Sequence, residues 1–303
     1  MKKRAVSSVL ATLAVVSFIL PAFADPPPEP EGIPVSVEIE PWTAIRLNGE
    51  PQQSVEYEIR NGVTYVTVGS FVSMLDAEAM VEEENGVVSV NAAKVDQVVD
   101  AEGNTANVVE ETLDLTVAAG APYIVANGRY LYAKDDLVLL NDSVAAPIRV
   151  LARVFNLSVN YDAEEQTVLL EHQEGAGAYL TPGDNYYDGD TLYWLSRIIN
   201  AESGNQVLEG KIGVGNVVMN RVEDPAFPDN VYDVLYQKNQ FSPASSGSLK
   251  RTPNEESVIA AKLVLDGAEV VPTALFFNRA GLACYASRHR TYVVTIGDHA
   301  FYE

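Results

Sequence analysis

The C-terminal part of the chain places apolar residues at helical intervals. They recur every three or four positions over residues 192–199, which predicts a helix with one buried face. Asp190 is suited to cap the start of this helix, and the sequence around Ser203 to end it. A second helix is predicted over about residues 206–222. Glu202 would then lie where the two helices meet.

Three glycines interrupt the second predicted helix, at Gly210, Gly213 and Gly215. A glycine inside a helix costs about 1 kcal/mol relative to alanine. We therefore expect another backbone or a ligand to approach this helix closely, and close packing of a neighbouring helix would be sufficient.

The rest of this region alternates helix and strand signals. Residues 231–236 predict a short helix, and Asn254-Glu255 begins another. Residues 274–278 and 292–296 are rich in β-branched and aromatic residues and predict strands. A mainly helical domain with a small sheet follows.

The preceding half of the chain has a different pattern, of short β-branched runs separated by turn residues. It contains an internal repeat offset by 79–80 residues. Each copy has an Asn-Gly hairpin signal, a strand, a short helix and a closing strand. The matching segments are 48–49 with 127–128, 63–68 with 143–148, 71–75 with 151–155, and 87–90 with 167–170.

The second copy, residues 145–171, resembles the stalk-like module named after the N-terminal domain of copper amine oxidases. The first copy departs from it at Thr67, where the module usually has proline, and at Gly69, where it has arginine. Residues 25–171 contain neither histidine nor cysteine, so no copper site is expected. The resemblance implies a spacer or a weak wall-binding module.

The N-terminus has the order of a secretory signal peptide: basic residues, an apolar run over 9–20, and Ala22-Phe23-Ala24 before the expected cut. We expect a secreted, cell-wall-associated protein without stable membrane insertion. The predicted organisation is 1–24 signal peptide, 25–41 proline-rich leader, 42–173 two-repeat stalk-like domain, 174–190 linker and 191–303 catalytic domain.

The chain is strongly acidic, with a formal net charge of −22. Most of the excess lies in the repeat region, where residues 25–173 hold 26 acids against 7 bases. Nucleic acid is therefore excluded as a partner, because no basic surface could neutralise its phosphates. We expect a soluble monomer.

Five blocks in the C-terminal region resemble, in order, the cell-wall hydrolase family that includes the spore-cortex-lytic enzymes. They are Ala201-Glu202-x-Gly204, residues 213–221, Gln240-Phe241, Phe277-Asn278 and residues 296–301. The chain departs from the family at Ser242 and Arg279. The resemblance implies an α+β, lysozyme- or transglycosylase-like catalytic domain that cuts peptidoglycan glycan strands between N-acetylmuramic acid and N-acetylglucosamine. It also implies that Glu202 is the general acid.

The chemistry of the residues agrees with that role for Glu202. A carboxyl group between apolar side chains keeps its proton at higher pH and can give it to a leaving oxygen. Hydrolysis by either standard route needs a second carboxylate. Glu209, Glu223, Asp224 and Asp298 are available, but none occupies a catalytic position in the five blocks. A single acid favours a lytic transglycosylase, in which the 6-hydroxyl of muramic acid attacks.

Other residues of the blocks and their neighbours are candidates for substrate binding. Amides suit the N-acetyl groups, aromatic rings can stack on sugars or fill the core, and a histidine is expected near the site. The candidates are Gln240, Phe241, Phe277, Asn278, Tyr285, His299 and Tyr302.

Three rival interpretations stay open. Cys284, the only cysteine, could be the nucleophile of a stem-peptide peptidase with His289 or His299 as base, although residues 285–287 give no clear helix signal. Zinc amidase chemistry is weaker, because the histidines have no ligand-like spacing, and no metal or cofactor is expected. An inactive wall-binding protein is the third.

Overall fold

A computed structural model describes residues 45–99, 105–238, 240–241, 243 and 247–303. All the described residues belong to one compact unit. The predicted signal peptide (1–24) and leader (25–41) lie outside the described residues, as does Ser242.

Strands dominate the first half of the described chain and helices the second. The strands are β1 Ile45–Leu47, β2 Glu50–Pro51, β3 Tyr57–Arg60, β4 Val63–Thr67, β5 Met80–Glu84, β6 Val87–Val99, β7 Thr105–Ala118, β8 Tyr123–Ala126, β9 Arg129–Tyr132, β10 Val138–Leu140, β11 Ser143–Pro147, β12 Leu157–Asp162, β13 Thr167–His172, β14 Phe276–Arg279, β15 Tyr292–Ile296 and β16 His299–Tyr302. The helices are α1 Val68–Leu75, α2 Ile148–Val154, α3 Gly183–Tyr186, α4 Gly189–Ser203, α5 Leu208–Glu223, α6 Val231–Tyr236, α7 Glu255–Leu265 and α8 Tyr285–His289, with a 3₁₀ turn at Ser248–Lys250. The α+β prediction is confirmed.

The two repeats of the first half interlock. β4 of the first copy pairs antiparallel with β11 of the second, and β1 pairs in parallel with β13. Each copy therefore completes a sheet of the other, giving strand orders β12-β13-β1-β2 and β10-β11-β4-β3. Both copies contribute to a single buried core, which includes Phe71 and Leu151.

Both predicted Asn-Gly turns are present. Asn48 and Gly49 join β1 to β2 with φ angles of 49° and 85°, and Asn127 and Gly128 join β8 to β9 with φ angles of 50° and 76°. Two successive positive φ angles match the right-handed twist of the strands, which is why this dipeptide recurs there.

The closing strand of the first copy is much longer than the sequence predicts. The expected residues 87–90 are the start of β6, which runs for 13 residues against the 14 residues of β7. The pairing shifts register at Lys94/Val95. Apolar and polar residues alternate in β7, and its apolar residues Leu113, Leu115 and Val117 are buried.

The predicted helices of the C-terminal region are present with small shifts at their ends. α4 is capped by Asp188 and not by Asp190, because the Asp188 carboxylate accepts a bond of 2.8 Å from the backbone N–H of Thr191. Asp190 lies in the first turn, where a negative charge is favourable. α6 has the predicted bounds, and Asn254 caps α7.

Two of the three glycines of α5, Gly213 and Gly215, allow neighbouring elements to pack closely, which is one of the two expectations from the sequence. A methyl group at Gly213 would lie 2.7 Å from the ring of Phe301. At Gly215 it would lie 2.8 Å from Val264 of α7 and 3.0 Å from Ile199 of α4. α5 is therefore the central helix of this region, and the three-stranded sheet β14-β16-β15 packs beside it.

The segment predicted as a linker is well packed. Tyr179 and Leu180 are buried in the core of the repeat region, and the Tyr179 hydroxyl donates to Asp76. Further along, the Tyr187 hydroxyl donates to Asp266, just after α7. The segment thus contacts both halves of the chain, and the predicted domain boundaries stay predictions.

A buried ion pair joins the two halves, and we call it the Asp266 junction. Arg129 of β9 donates from Nε to Asp266 Oδ1 at 3.0 Å. Arg153 donates from Nη2 to the backbone oxygen of Asp266 at 2.9 Å, and Lys262 donates to Gly128 O at 3.2 Å. Both charges of the pair are buried, with 6% of Arg129 and 3% of Asp266 exposed.

Candidate active site

Glu202 lies in the last turn of α4, and the residues after it end the helix tightly. The buried Ser203 hydroxyl donates back to Ile199 O at 2.7 Å, and the N–H of Gly204 donates to Asn200 O at 3.1 Å. A methyl group at Gly204 would lie 2.6 Å from that same oxygen. Glycine two residues after the glutamate is therefore required by this helix end.

The carboxyl group of Glu202 is partly buried and has no partner in the part of the chain that the structure describes. Burial raises its pKa above the ordinary value of 4.5, and no charged group contributes to the shift. It forms no hydrogen bond or ion pair with any residue that the structure describes. The desolvated, unpaired state favours the protonated carboxyl.

Polar side chains of α5 hold the chain that leads into β14. Asn220 donates to Val271 O and Ala274 O at 3.1 and 2.9 Å, and Arg221 donates to Leu275 O at 2.7 Å. The Asn-Arg pair of the sequence block thus fixes the approach to β14 through backbone contacts.

β14 carries the center of an aromatic cluster. The Phe277 ring lies 6.4 Å from Phe241, 6.1 Å from Phe301 and 5.3 Å from His299, measured between ring centers. His299 is buried against these rings, and burial lowers its pKa below 6.5. Its Nδ1 atom is buried without a hydrogen-bond partner among the described residues.

A cleft of about 490 Å³ opens beside this cluster. It brings together four predicted substrate-binding residues: Gln240, Phe277, Asn278 and Tyr285. The other residues that line it are Phe227, Phe276, Cys284, Ala286 and Arg290.

The remaining predicted residues do not line the cleft. Phe241 and Tyr302 are buried, with 6% and 9% exposed, so they support neighbouring groups more than they offer surface to a sugar. His299 reaches the cleft only through the Phe277 ring. Glu202 is not among the residues that line this cleft either.

Arg221 is a buried cation without a carboxylate. It is 4% exposed, and its guanidinium carbon lies 5.0–5.3 Å from the ring centers of Phe227, Phe241 and Phe276. Burial lowers its pKa to about 10. Nη1 has no hydrogen-bond partner among the described residues.

The expectation of no helix after Cys284 was wrong. Cys284 is the N-cap of α8, and its thiol accepts a 3.3 Å bond from the N–H of Ser287. Burial raises the thiol pKa, but hydrogen bonds from Ser287 and Asn278 outweigh it and lower the pKa below 9.0. Neither histidine is among its partners, since His289 stacks on Tyr285 and His299 packs on Phe277. A nucleophile without a base does not favour the peptidase interpretation.

The described ranges contain no candidate metal site and no candidate membrane span. No group of three or more His, Cys, Asp or Glu side chains gathers there as metal ligands would. Within the same ranges, no helix is long and apolar enough to cross a membrane.

Comparison with known families matches both halves of the chain. Residues 46–170 match the copper amine oxidase N-terminal domain family. Residues 205–302 match the cell wall hydrolase family. Both resemblances seen in the sequence are thereby confirmed. The second match begins three residues after Glu202, so it does not cover the proposed acid.

The relatives found are spore cortex-lytic enzymes. That of Bacillus cereus is 26% identical over 118 residues, covering 39% of this chain and 46% of the relative. That of Bacillus subtilis is 24% identical over 141 residues, covering 46% of each. The chain thus spans just under half the length of these relatives.

Solved structures include the catalytic domain of a germination-specific lytic transglycosylase from Bacillus anthracis. It is 24% identical, with a TM-score of 0.37, and the match covers 39% of this chain and 98% of that domain.

Proposed function

We propose that this protein cleaves peptidoglycan glycan strands between N-acetylmuramic acid and N-acetylglucosamine, with Glu202 as the general acid. The observation that carries the proposal is the carboxyl of Glu202, which is partly buried and has no partner among the described residues, and whose pKa is raised by burial alone. The cell wall hydrolase match and the spore cortex-lytic relatives support the choice of substrate.

The reaction needs one carboxyl group if it is a transglycosylation. Glu202 gives its proton to the glycosidic oxygen, the bond from that oxygen to C1 of muramic acid breaks, and the N-acetylglucosamine leaves as an alcohol. The 6-hydroxyl oxygen of the same muramic acid then bonds to C1, and its proton returns to Glu202. The product is a 1,6-anhydro sugar, and no water is consumed.

The other acids of the region support this route over hydrolysis. Glu209, Glu223 and Asp298 are exposed, and Gln206 donates to Asp298 at 3.1 Å. Asp224 is half-buried and accepts a bond of 2.8 Å from the N–H of Ala226. None of them influences the pKa of Glu202. A hydrolase would place a second carboxylate near the first, about 5 to 10 Å away, to attack or to activate water.

The cleft beside β14 supplies contacts of the kind that a glycan needs. We assign the amides of Gln240 and Asn278 to N-acetyl groups and the exposed Tyr285 ring to stacking on a sugar. Action outside the membrane follows from the substrate, and the two-repeat region would act as a rigid spacer. The substrate is spore cortex or vegetative wall.

Digestion of purified peptidoglycan followed by mass analysis of the products tests the proposal. Products one water lighter than hydrolysis products, absent with Glu202→Gln, are the expected result. Products that end in a reducing muramic acid would show that the reaction is hydrolysis and not transglycosylation. Free stem peptides, or binding to the wall without any product, would overturn the glycosidase assignment.

A further inference from the structure

Most of the residues that line the cleft beside β14 come from a stretch of the sequence that carries bases and no acids. Residues 270–297 contain Arg279, Arg288, His289 and Arg290 and neither aspartate nor glutamate. The whole chain has 42 acids against 20 bases. A basic stretch in such an acidic chain indicates an anionic ligand.

Arg290 brings this charge into the cleft. It lines the cleft, and its guanidinium carbon lies 4.6 Å from the center of the Phe276 ring. It forms no ion pair with any described residue. Its planar group therefore lies against an aromatic ring, and no carboxylate among the described residues occupies its donors.

Arg221 places a second guanidinium against the same ring. Its carbon lies 5.3 Å from the center of Phe276, and the side chain is 4% exposed. The partner of its Nε is a neutral backbone oxygen, Leu275 O, and Nη1 has no partner among the described residues. A buried cation without a counter-charge is costly, and water screens its field poorly.

No acidic side chain lines the cleft to balance these two cations. The neutral polar groups at the same wall are the amides of Gln240 and Asn278, which can donate hydrogen bonds to an oxygen. An exposed guanidinium on a ring, with amide donors nearby, is suited to a planar carboxylate, which it can bind through two parallel bonds.

We propose that Arg290 binds a free carboxylate of the peptide stem of peptidoglycan, and that Arg221 strengthens this contact as a positioning residue behind Phe276. The assignment rests on the proposed function, because it names the part of that substrate which the cleft recognises. The N-acetyl sugars of the glycan are neutral, because the lactyl carboxyl of muramic acid forms the amide bond to the stem. The stem carries the free carboxylates.

Kinetics on three substrates test the proposal. They are intact peptidoglycan, the same material with its stem carboxyl groups amidated, and strands freed of their stems whose exposed lactyl carboxyl groups have been converted to amides. The wild type is expected to show a KM at least about 10-fold lower on the first, since a charge-assisted bond contributes about 1.5 to 3 kcal/mol. Arg290→Gln should lose this preference, and the loss should appear as a rise in KM larger than any change in kcat. Arg290→Lys keeps the positive charge but loses the two parallel donors of the guanidinium, so it should retain part of the preference.

Arg288→Gln is the matched control. It removes the same charge two residues before Arg290, and the Arg288 side chain does not line the cleft. It should keep the wild-type preference. A wild type indifferent to amidation, an equal loss by Arg290→Gln on all three substrates, or an equal loss by Arg288→Gln would overturn the proposal.

A binding measurement separates this proposal from the proposed function. NMR titration with a soluble stem tripeptide, free or amidated, reports the contact even if no strand is cut. Arg290-dependent binding without cleavage would leave the carboxylate site standing and remove the enzyme assignment. Glycan cleavage without Arg290-dependent binding of the tripeptide would support the enzyme assignment and remove the carboxylate site. Competition by poly(glycerol phosphate) stronger than by the tripeptide would assign Arg290 to a phosphate polymer and overturn the proposal.

Discussion

Two carboxyl groups of the C-terminal region are withdrawn from water in opposite ways. Asp266 is almost fully buried and accepts bonds from Arg129, Arg153 and Tyr187, which surround it with donors and positive charge. Glu202 is partly buried and has no partner among the described residues. Glu202 lies in the last turn of α4, and Asp266 directly follows α7. Position along a helix therefore does not distinguish the two carboxyl groups.

The difference separates a structural carboxylate from a reactive one. Asp266 accepts bonds from Arg129 and Arg153 of the repeat region and thereby joins that region to the helical region. Glu202 is disfavoured as an anion and is thus prepared to hold and release a proton. The same residue chemistry therefore gives a structural joint at one place and a candidate acid at the other.

The largest expected effect comes from removing the acid. Glu202→Gln should lower glycan cleavage by about 10²- to 10⁴-fold, because an amide cannot donate a proton to the leaving oxygen. The measurement is product release from purified peptidoglycan, with circular dichroism to show that the fold is intact. Glu209→Gln, at an exposed position on α5, is the control and should remain active. Full activity of Glu202→Gln would exclude it as the acid.

The next effect falls on the other carboxylate. Asp266→Asn should lower the free energy of unfolding by about 3 to 5 kcal/mol, because it leaves Arg129 buried without a counter-charge. Urea unfolding measures it, and Asp229→Asn, at an exposed site, should change it little. A loss below 1 kcal/mol would mean that the junction does not depend on the ion pair. Glu202→Gln should not share this loss.

A third change acts on both carboxyl groups through the helix between them. Gly215→Ala would place a methyl group 2.8 Å from Val264, two residues before Asp266, and 3.0 Å from Ile199, three residues before Glu202. Overpacking of this kind costs about 1 to 3 kcal/mol. Urea unfolding measures the loss. Gly189→Ala, where no atom lies within 4 Å, should be nearly neutral, and equal losses at both positions would contradict the packing argument.

The sequence predicts the elements better than the contacts between them. α6 and β15 have their predicted bounds, because local apolar patterns and turn residues determine them. The Asp266 junction was not predicted, since Arg129 and Asp266 are 137 positions apart and no local pattern relates them. The same holds for the packing of Tyr187, predicted as part of a linker, against Asp266.

In the candidate site, the ordered blocks predict Glu202 and three of the residues that line the cleft, Gln240, Phe277 and Asn278. They miss Arg290, because residues 285–287 give no clear helix signal and the short α8 places this side chain in the cleft. The acid-free stretch 270–297 was the signal that could have found it. The block residue Phe241 is buried, as is Tyr302, which follows the last block. The blocks therefore did not distinguish side chains that support the site from side chains that line the cleft.

The smallest effect is a dependence on pH that only Glu202 should produce. Burial raises its pKa in the folded protein, so over the interval from its ordinary value of 4.5 to the raised value the folded state keeps a proton that the unfolded state has lost. The wild type therefore loses stability as the pH rises through that interval, and loses activity with the proton. Glu202→Gln has no such proton. Its Tm relative to the wild type should be constant below pH 4 and should rise above it, as calorimetry across pH 3 to 8 would measure. A difference in Tm that stays constant with pH would mean that burial does not raise the pKa of Glu202, and the contrast between the two sites would be lost.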